Sequence, residues 1–136
     1  MTGDGARLYP GRWNHRGTPL VYTAASMSLA ALELLVHAGS VDRLADHVCI
    51  PVTFDADLCE VLREGGLPPD WADHPAPSYT RDLGARWVAE ARSPVLAVPS
   101  AVIQIETNYI LNPRHPDFGK IRIGAARPFR FDPRLG

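Results

Sequence analysis

Glu33 supplies a carboxylate in a stretch of sequence that is otherwise apolar. The segment from Met27 to Val36 reads MSLAALELLV, and Glu33 is its only ionisable residue. A carboxylate that leaves water costs on the order of several kcal/mol unless a cation or hydrogen-bond donors meet it. We therefore expect Glu33 either to form a structural ion pair, with Arg12 or another arginine, or to face a polar cleft that admits a ligand.

A cation and an aromatic ring precede Glu33 closely in the sequence. Arg12 lies in a turn bounded by glycines, and Tyr22 lies in the short apolar segment from Leu20 to Ala24, which predicts a strand. Short connections join this turn, the strand and the segment that carries Glu33, so the three must be neighbours in the fold. A cation, an aromatic face and a carboxylate in one place are typical of a ligand site.

The segment around Glu33 has the signals of a helix. Ser26 or Ser28 can cap its start, because a short hydroxyl accepts from the free N–H groups of a first turn. Gly39 suits the left-handed position just past its end. Because apolar residues occupy every side of this helix, we expect it to be buried nearly all round.

Five short segments stand out along the chain: GRWN from Gly11, PLVYTA from Pro19, LELLVHAG from Leu32, VPSA from Val98 and NYILNPRHP from Asn108. They have the order and spacing found in the RES domain, and the sequence resembles the RES-type toxins of bacterial toxin–antitoxin pairs. The resemblance covers nearly the whole chain, so we expect one domain over residues 1–136. Family members usually begin with a short strand that contains another arginine, and we expect that strand to be missing here.

The resemblance implies an ADP-ribosyltransferase-like fold that binds NAD and breaks its nicotinamide–ribose bond. Arg12, Tyr22 and Glu33 fall on the family's arginine, tyrosine and glutamate, and Ser100 falls on its serine. On local sequence alone, Ser100 would be a turn hydroxyl and Asn112 a residue that shapes a loop. With the resemblance, the predicted catalytic residues are Arg12, Tyr22, Glu33 and Ser100, and the predicted NAD-binding residues are Arg12, Trp13, Asn14, Tyr22 and Asn112.

The predicted roles follow from the chemistry of the bond. Its cleavage leaves positive charge on the ribose, and a carboxylate bound to the ribose hydroxyls stabilises that charge in the transition state. Glu33 is the candidate for this role, and Ser100 would bond to the ribose or to Glu33. Arg12 would hold a phosphate or ribose oxygen with its planar fork of donors. Tyr22 would stack against the nicotinamide or the ribose.

Several functions stay open at this point. The acceptor of the ribosyl group could be water, phosphate or a protein side chain, and we rank NAD degradation ahead of mono-ADP-ribosylation of a host protein. A ribonuclease toxin is a further alternative, since Arg12, Glu33, His37 and His115 supply the required residue types. A non-catalytic interaction module would instead leave Glu33 in a buried pair. The resemblance also implies an Xre-like helix-turn-helix antitoxin and a homodimer.

Composition limits the class of protein. Apolar residues make up 46% and charged residues 21% of the 136 positions, as in ordinary globular domains. Cys49 and Cys59 lack the spacing of a zinc site, so we expect no metal and reduced thiols in a cytoplasm. The sequence has no apolar run that could cross a membrane and no signal-peptide pattern. Its net charge of −1, without clustered basic and aromatic residues, predicts no direct binding of nucleic acid.

The remaining segments predict an α+β fold with small, mostly antiparallel sheets flanked by helices, and the resemblance implies that these surround an NAD cleft. Pro51 lacks an N–H group and should place its strand at a sheet edge, and Trp71 is the one large anchor of a long loop. The predicted elements are a strand over Val48–Phe54, a loop over Asp55–Pro77, a helix over Thr80–Ala91 with Thr80 as its cap, strands over Val95–Val98 and Ala101–Ile105, a turn-rich stretch over Asn108–Pro116, and closing strands over Ile121–Ile123 and Phe129–Phe131.

Overall fold

The computed structural model describes residues 1–136, apart from the side chain of Glu64. The helices are α1 Asp4–Leu8, α2 Met27–Ala38 and α3 Ser78–Glu90, and the strands are β1 Val21–Ala24, β2 His47–Cys49, β3 Val52–Thr53, β4 Cys59–Val61, β5 Val95–Pro99, β6 Thr107–Leu111, β7 Arg122–Ile123 and β8 Arg127–Phe129. A four-stranded sheet in the order β1-β6-β5-β4 forms the centre of the fold, with β4 parallel to β5 and the other neighbours antiparallel. Two small antiparallel pairs, β2 with β8 and β3 with β7, accompany it. The α+β prediction is confirmed.

The central sheet separates two apolar clusters. Alternate residues of a strand point to opposite faces, so Val98 and Ile110 pack with Trp13, Trp71 and Trp87 on one face. Val95, Leu111 and Ile121 pack on the other face. Tyr22 is the partner of Ile110 across β1 and β6 and therefore lies on the face of the tryptophans, which we call the first face.

Helix α2 has the predicted ends but not the predicted burial. The Ser26 hydroxyl caps it by accepting from the Leu29 N–H at 3.1 Å, and Gly39 ends it in the left-handed region with φ 74°. Leu29 is its one buried residue, whereas Met27 and Val36 are 57% and 56% exposed. The expectation of burial all round is wrong because α2 packs against the edge strand β1 and the turn Val41–Leu44, which leaves its outer side uncovered.

The predicted strand over Ala101–Ile105 is also wrong, because the chain turns there. The Ser100 hydroxyl accepts from the N–H groups of Val102 and Ile103 at 3.1 Å, and the Ser100 N–H donates to the Glu106 carbonyl at 2.9 Å. The strand follows this turn, as β6, where the sequence predicted turns from Asn108 onward. Local side-chain bonds from a serine thus outweigh the β-branched run after it.

Three other elements depart from the predictions. The strand over Val48–Phe54 divides into β2 and β3 on either side of Ile50-Pro51, since proline has no N–H group for the ladder. The loop over Asp55–Pro77 contains the unpredicted strand β4, and its Trp71 is buried as expected. Helix α3 starts at Ser78, and Thr80 does not cap it. None of the helices described is long and apolar enough to cross a membrane.

Helix α3 holds the turn that carries Arg12. The Thr80 hydroxyl lies within 2.8 Å of both the Arg12 carbonyl and the Pro77 carbonyl. One turn further along the helix, Gly84 packs directly against the Trp13 carbonyl, with no space for a Cβ atom between them. The missing side chain of Gly84 therefore permits the close approach of the helix to this turn.

Candidate active site

The Glu33 carboxylate is held by two neutral donors rather than by a cation. Its Oε1 atom accepts from the Ser100 hydroxyl and from the Asn108 amide, both at 2.7 Å. Two hydrogen bonds fill the accepting positions of Oε1. The Oε2 atom makes no hydrogen bond to the described residues, and the nearest basic nitrogen is Nε2 of His37 at 4.0 Å. Because the side chain is 21% exposed, Oε2 is the atom that can meet a ligand.

Ser100 and Asn108 reach Glu33 from the two sides of one hairpin. Ser100 directly follows β5 and is fully buried, while Asn108 lies near the start of β6 opposite Val98. The Ser100 oxygen already accepts from two backbone N–H groups, so its proton is directed at Glu33. Asn108 is paired with Ala24 on its other side, where a small residue leaves room for the longer Glu33 side chain.

Arg12 does not form the ion pair that the sequence allowed for Glu33. Its guanidinium donates to the Trp71 carbonyl at 2.6 Å and to the Asp73 carbonyl at 3.0 Å, both in the long loop. Among the described residues, no carboxylate lies within 4.0 Å of it. Burial lowers the pKa of Arg12, and the nearby Glu33 charge partly opposes that effect. Arg12 and Glu33 thus lie near enough for their charges to interact, but they do not touch.

The hydroxyl and the ring of Tyr22 have different roles: the hydroxyl is structural and the ring is accessible. The hydroxyl accepts from the Trp13 N–H at 3.1 Å and donates to Asn14 Oδ1 at 2.6 Å. Burial raises the pKa of Tyr22 well above its ordinary value, so the phenol keeps its proton. The residue is nevertheless 39% exposed, and its hydroxyl is already engaged in these two hydrogen bonds. The ring, and not the hydroxyl, is free for a ligand.

Two predicted NAD-binding residues, Trp13 and Asn14, have other partners. Trp13 is buried against Trp71, with ring centroids 6.2 Å apart. Asn14 is fully buried, and its amide bonds to the backbone of Gly11, Ala6 and Thr18 as well as to Tyr22. Both residues shape the turn around Arg12.

Asn112 is not brought to this group. It follows β6 at the end of the strand opposite to Asn108, where its N–H donates to the Pro94 carbonyl. Its side-chain oxygen accepts from the Arg114 N–H at 3.0 Å, which closes a local turn. The geometry gives Asn112 a role in the shape of this loop.

Two residues of the site were missed from the sequence. Asn108 opens the NYILNPRHP segment, and that motif was the signal that could have identified it. Arg81 lies in α3, and its Nε is 3.4 Å from the Gly11 carbonyl. Its charge lowers the pKa values of Arg12 and Tyr22, although burial is the largest influence on both groups. The surroundings of Arg12 therefore combine one carboxylate with a second guanidinium group.

Replacement of Tyr22 tests the structural role of its hydroxyl. Tyr22→Phe leaves the Trp13 N–H without an acceptor, and we expect a loss of about 1–3 kcal/mol in the free energy of unfolding, measured by urea denaturation. Tyr9 makes a matched control, since it is 82% exposed and Tyr9→Phe should leave stability unchanged. Equal stability of Tyr22→Phe and the parent would refute the role given to this hydroxyl.

A family model described as the RES domain matches residues 1–132. The chain belongs to the RES domain family. Its relatives include a "Toxin Res" of Yersinia enterocolitica, 39% identical over 98% of this chain and 89% of the relative. A "Toxin Res" of Photorhabdus laumondii is 41% identical over 98% of this chain and 86% of the relative. A "Prs ADP-ribosylating toxin" of Sphingobium sp. is 36% identical over 99% of this chain and 86% of the relative.

The structural comparison agrees with this RES domain assignment. The crystal structure of the M. tuberculosis MbcT-MbcA toxin-antitoxin complex contains a chain that superposes with a TM-score of 0.71 and 19% identity. The match covers 99% of this chain and 79% of that chain. The predicted family is confirmed, and the chain shares its fold with that toxin–antitoxin structure.

Proposed function

We propose that this RES domain is the toxin of a toxin–antitoxin pair and that it cleaves the nicotinamide–ribose bond of NAD. The observation that carries the proposal is the Glu33 carboxylate, which Ser100 and Asn108 hold through one oxygen while the other stays open. The names of the similar toxins support the cellular role. NAD is the substrate in this reaction.

Each residue of the cleft has a task that follows from its contacts. Glu33 Oε2 accepts a hydrogen bond from a hydroxyl of the nicotinamide ribose, and this bond strengthens as positive charge develops on the ring. Ser100 keeps the carboxylate in place through the hydrogen bond from its hydroxyl to Glu33 Oε1, at 2.7 Å. The exposed ring of Tyr22 stacks on the nicotinamide or the ribose and guides its departure.

The two arginines fit the anionic part of the dinucleotide. Arg12 donates hydrogen bonds to two backbone carbonyls and has no carboxylate partner among the described residues. Its positive charge is therefore not neutralised and can attract an anionic ligand. Arg81 lies beside it, against the Gly11 carbonyl. Two guanidinium groups that repel each other are stabilised by an anion between them, and a pyrophosphate has the matching charge and oxygen geometry.

Transfer of ADP-ribose to a protein is the second candidate reaction. The name of the Sphingobium relative, an ADP-ribosylating toxin at 36% identity, favours it. Both reactions begin with the same bond cleavage and differ in whether water, phosphate or a side chain captures the ribosyl group. Chromatography after incubation with NAD distinguishes them, since degradation yields soluble ADP-ribose or its phosphate whereas transfer leaves ADP-ribose on protein.

A ribonuclease has weaker support. His115 would supply a general base, but its Nε2 lies 2.9 Å from the Ala91 carbonyl and its Nδ1 accepts from the Asp117 N–H at 2.9 Å. These backbone contacts use both nitrogens of the ring. His37 is exposed and lies next to Glu33 on α2, and it has no second base beside it in the described structure.

The relatives and the surface of this RES domain support a proposal about its protein partners. The structural neighbour is a toxin-antitoxin complex, and we propose an Xre-like helix-turn-helix antitoxin for this chain. The exposed Met27, Leu34 and Val36 of α2 offer an apolar surface on the helix that carries Glu33, where a partner could cover the cleft. We further propose a homodimer in a cytoplasm, where Cys49 and Cys59 stay free thiols.

Production of the protein without its partner tests the proposal in cells. Growth of a bacterial host should stop and its NAD content should fall within the same period, because cleavage outruns synthesis. The host's NAD is measured by an enzymatic cycling assay, and the Glu33→Gln variant, made at equal level, is the control. Growth arrest with unchanged NAD would count against NAD cleavage and would direct attention to protein ADP-ribosylation.

A further inference from the structure

Asn108 is the second donor to Glu33, with its amide nitrogen 2.7 Å from Oε1. We infer that Asn108 is a positioning residue for the reaction: its amide fixes Glu33 Oε1, so that Oε2 is presented to the substrate. The inference rests on the proposed function of Glu33.

The direction of the Asn108 amide follows from the chemistry of its neighbour. A carboxylate only accepts hydrogen bonds, so the amide atom 2.7 Å from Glu33 Oε1 is the nitrogen. The Asn108 carbonyl oxygen then points away from Glu33. This oxygen is buried and has no hydrogen-bond partner among the described residues.

A buried carbonyl without a donor is unfavourable for folding. An apolar residue of similar size at position 108 would avoid this penalty, since β6 lies between β1 and β5 and its first face is lined by apolar side chains. The carbonyl oxygen of the Asn108 side chain therefore lowers the stability of the fold, while the amide nitrogen bonds to Glu33. Such an exchange of stability for a fixed polar group is typical of functional sites.

The position of Asn108 makes the contact rigid. Its backbone is paired on both sides, with Ala24 of β1 and with Val98 of β5. Ser100 approaches the same carboxylate oxygen from the other strand of the hairpin. With both donors in place Oε1 is fully bonded and the carboxylate cannot rotate. With Ser100 alone, the two oxygens of Glu33 can exchange places.

Replacement of the amide by a side chain of the same size tests the inference. Asn108→Leu removes the donor and the unpartnered oxygen together. We expect kcat for NAD cleavage to fall about ten- to hundredfold, the worth of a hydrogen bond to a charged group. We expect KM to change by less than about twofold, because Asn108 touches Glu33 and not the substrate. The Tm should equal or exceed that of the parent.

A second variant separates positioning from packing. Asn108→Asp keeps the shape of the side chain but places an acceptor against Glu33, so two carboxylates repel each other. We expect its kcat to be lower than that of Asn108→Leu, and its Tm to be lower than that of the parent. Thr107→Val is the matched control, because Thr107 is the preceding residue of β6 and points to the opposite face. It should leave kcat and Tm unchanged.

The outcomes distinguish this inference from the proposed function. If the parent consumes NAD and Glu33→Gln does not, but Asn108→Leu retains the parent kcat, Asn108 has no positioning role. A Tm of Asn108→Leu that falls in proportion to its kcat would assign Asn108 to packing and also overturn the inference. If the parent itself leaves NAD intact, the proposed function fails, and with it the inference.

Discussion

Glu33→Gln is expected to reduce NAD cleavage by about a hundredfold or more while the protein stays folded. The glutamine keeps the length of the side chain, and its amide oxygen can still accept from Ser100 and Asn108. It loses the negative charge that stabilises the developing positive charge of the ribose, and loss of one such electrostatic group costs about 10²–10³ in rate. Release of nicotinamide from NAD by the purified variant measures the effect.

The same variant tests how Glu33 is held. In an ion pair with Arg12, the substitution would strand a buried cation and cost roughly 3–5 kcal/mol. Glu33 is instead held by neutral donors, and we expect the free energy of unfolding to stay within about 1 kcal/mol of the parent. Leu29→Ala is the control on the same helix, since Leu29 is buried and its truncation should cost about 2–5 kcal/mol.

The two variants should therefore show opposite profiles. Leu29→Ala should melt at a lower temperature, and its folded fraction should still cleave NAD. Glu33→Gln should melt near the parent temperature and be inactive. A Glu33→Gln protein that unfolds as readily as Leu29→Ala, or that cleaves NAD at the parent rate, would reject the catalytic assignment.

Gly84→Ala should have the largest effect on stability. The added Cβ atom would overlap the Trp13 carbonyl oxygen, and backbone atoms on both sides leave it no direction in which to relax. Helix α3 must then move away from the turn that carries Arg12. We expect a loss of about 3 kcal/mol or more, which corresponds to a fall in Tm of about 10 °C for a domain of this size. Thermal unfolding followed by circular dichroism measures it.

Gly5→Ala is the matched control for Gly84→Ala. Gly5 also lies in a helix, but the position of its added Cβ is free of neighbouring atoms within 4 Å. Alanine favours the helix over glycine by about 0.5–1 kcal/mol, so this variant should be as stable as the parent or slightly more stable. A Gly84→Ala protein with the same Tm as Gly5→Ala would contradict the close contact between α3 and the turn.

The elements near Glu33 could be predicted because their signals are local. Ser26 and Gly39 mark the ends of α2 by the chemistry of their own positions. The isolated carboxylate in an apolar helix required polar partners, and the structure supplies them. Ser100, 67 residues away from Glu33, was named as a possible partner only through the resemblance, and Asn108, 75 residues away, was not named.

The errors arose where distant contacts decide the outcome. The apolar residues of α2 predicted burial, but a sequence pattern does not distinguish side chains covered by the same chain from side chains left for a partner. The β-branched run after Ser100 predicted a strand, and hydrogen bonds to the serine hydroxyl made it a turn. Strand β4 was missed because a three-residue strand beside β5 has too few residues for a pattern.

The support of Arg12 by the long loop has a consequence for how such proteins diverge. The acceptors at Trp71 and Asp73 are main-chain carbonyls, which every amino acid provides. The side chain of Asp73 can therefore drift during evolution without loss of the support, whereas a deletion that shortens the loop removes it. An alignment of homologues would then record the arginine as invariant and the residue at 73 as variable, although the two are in direct contact.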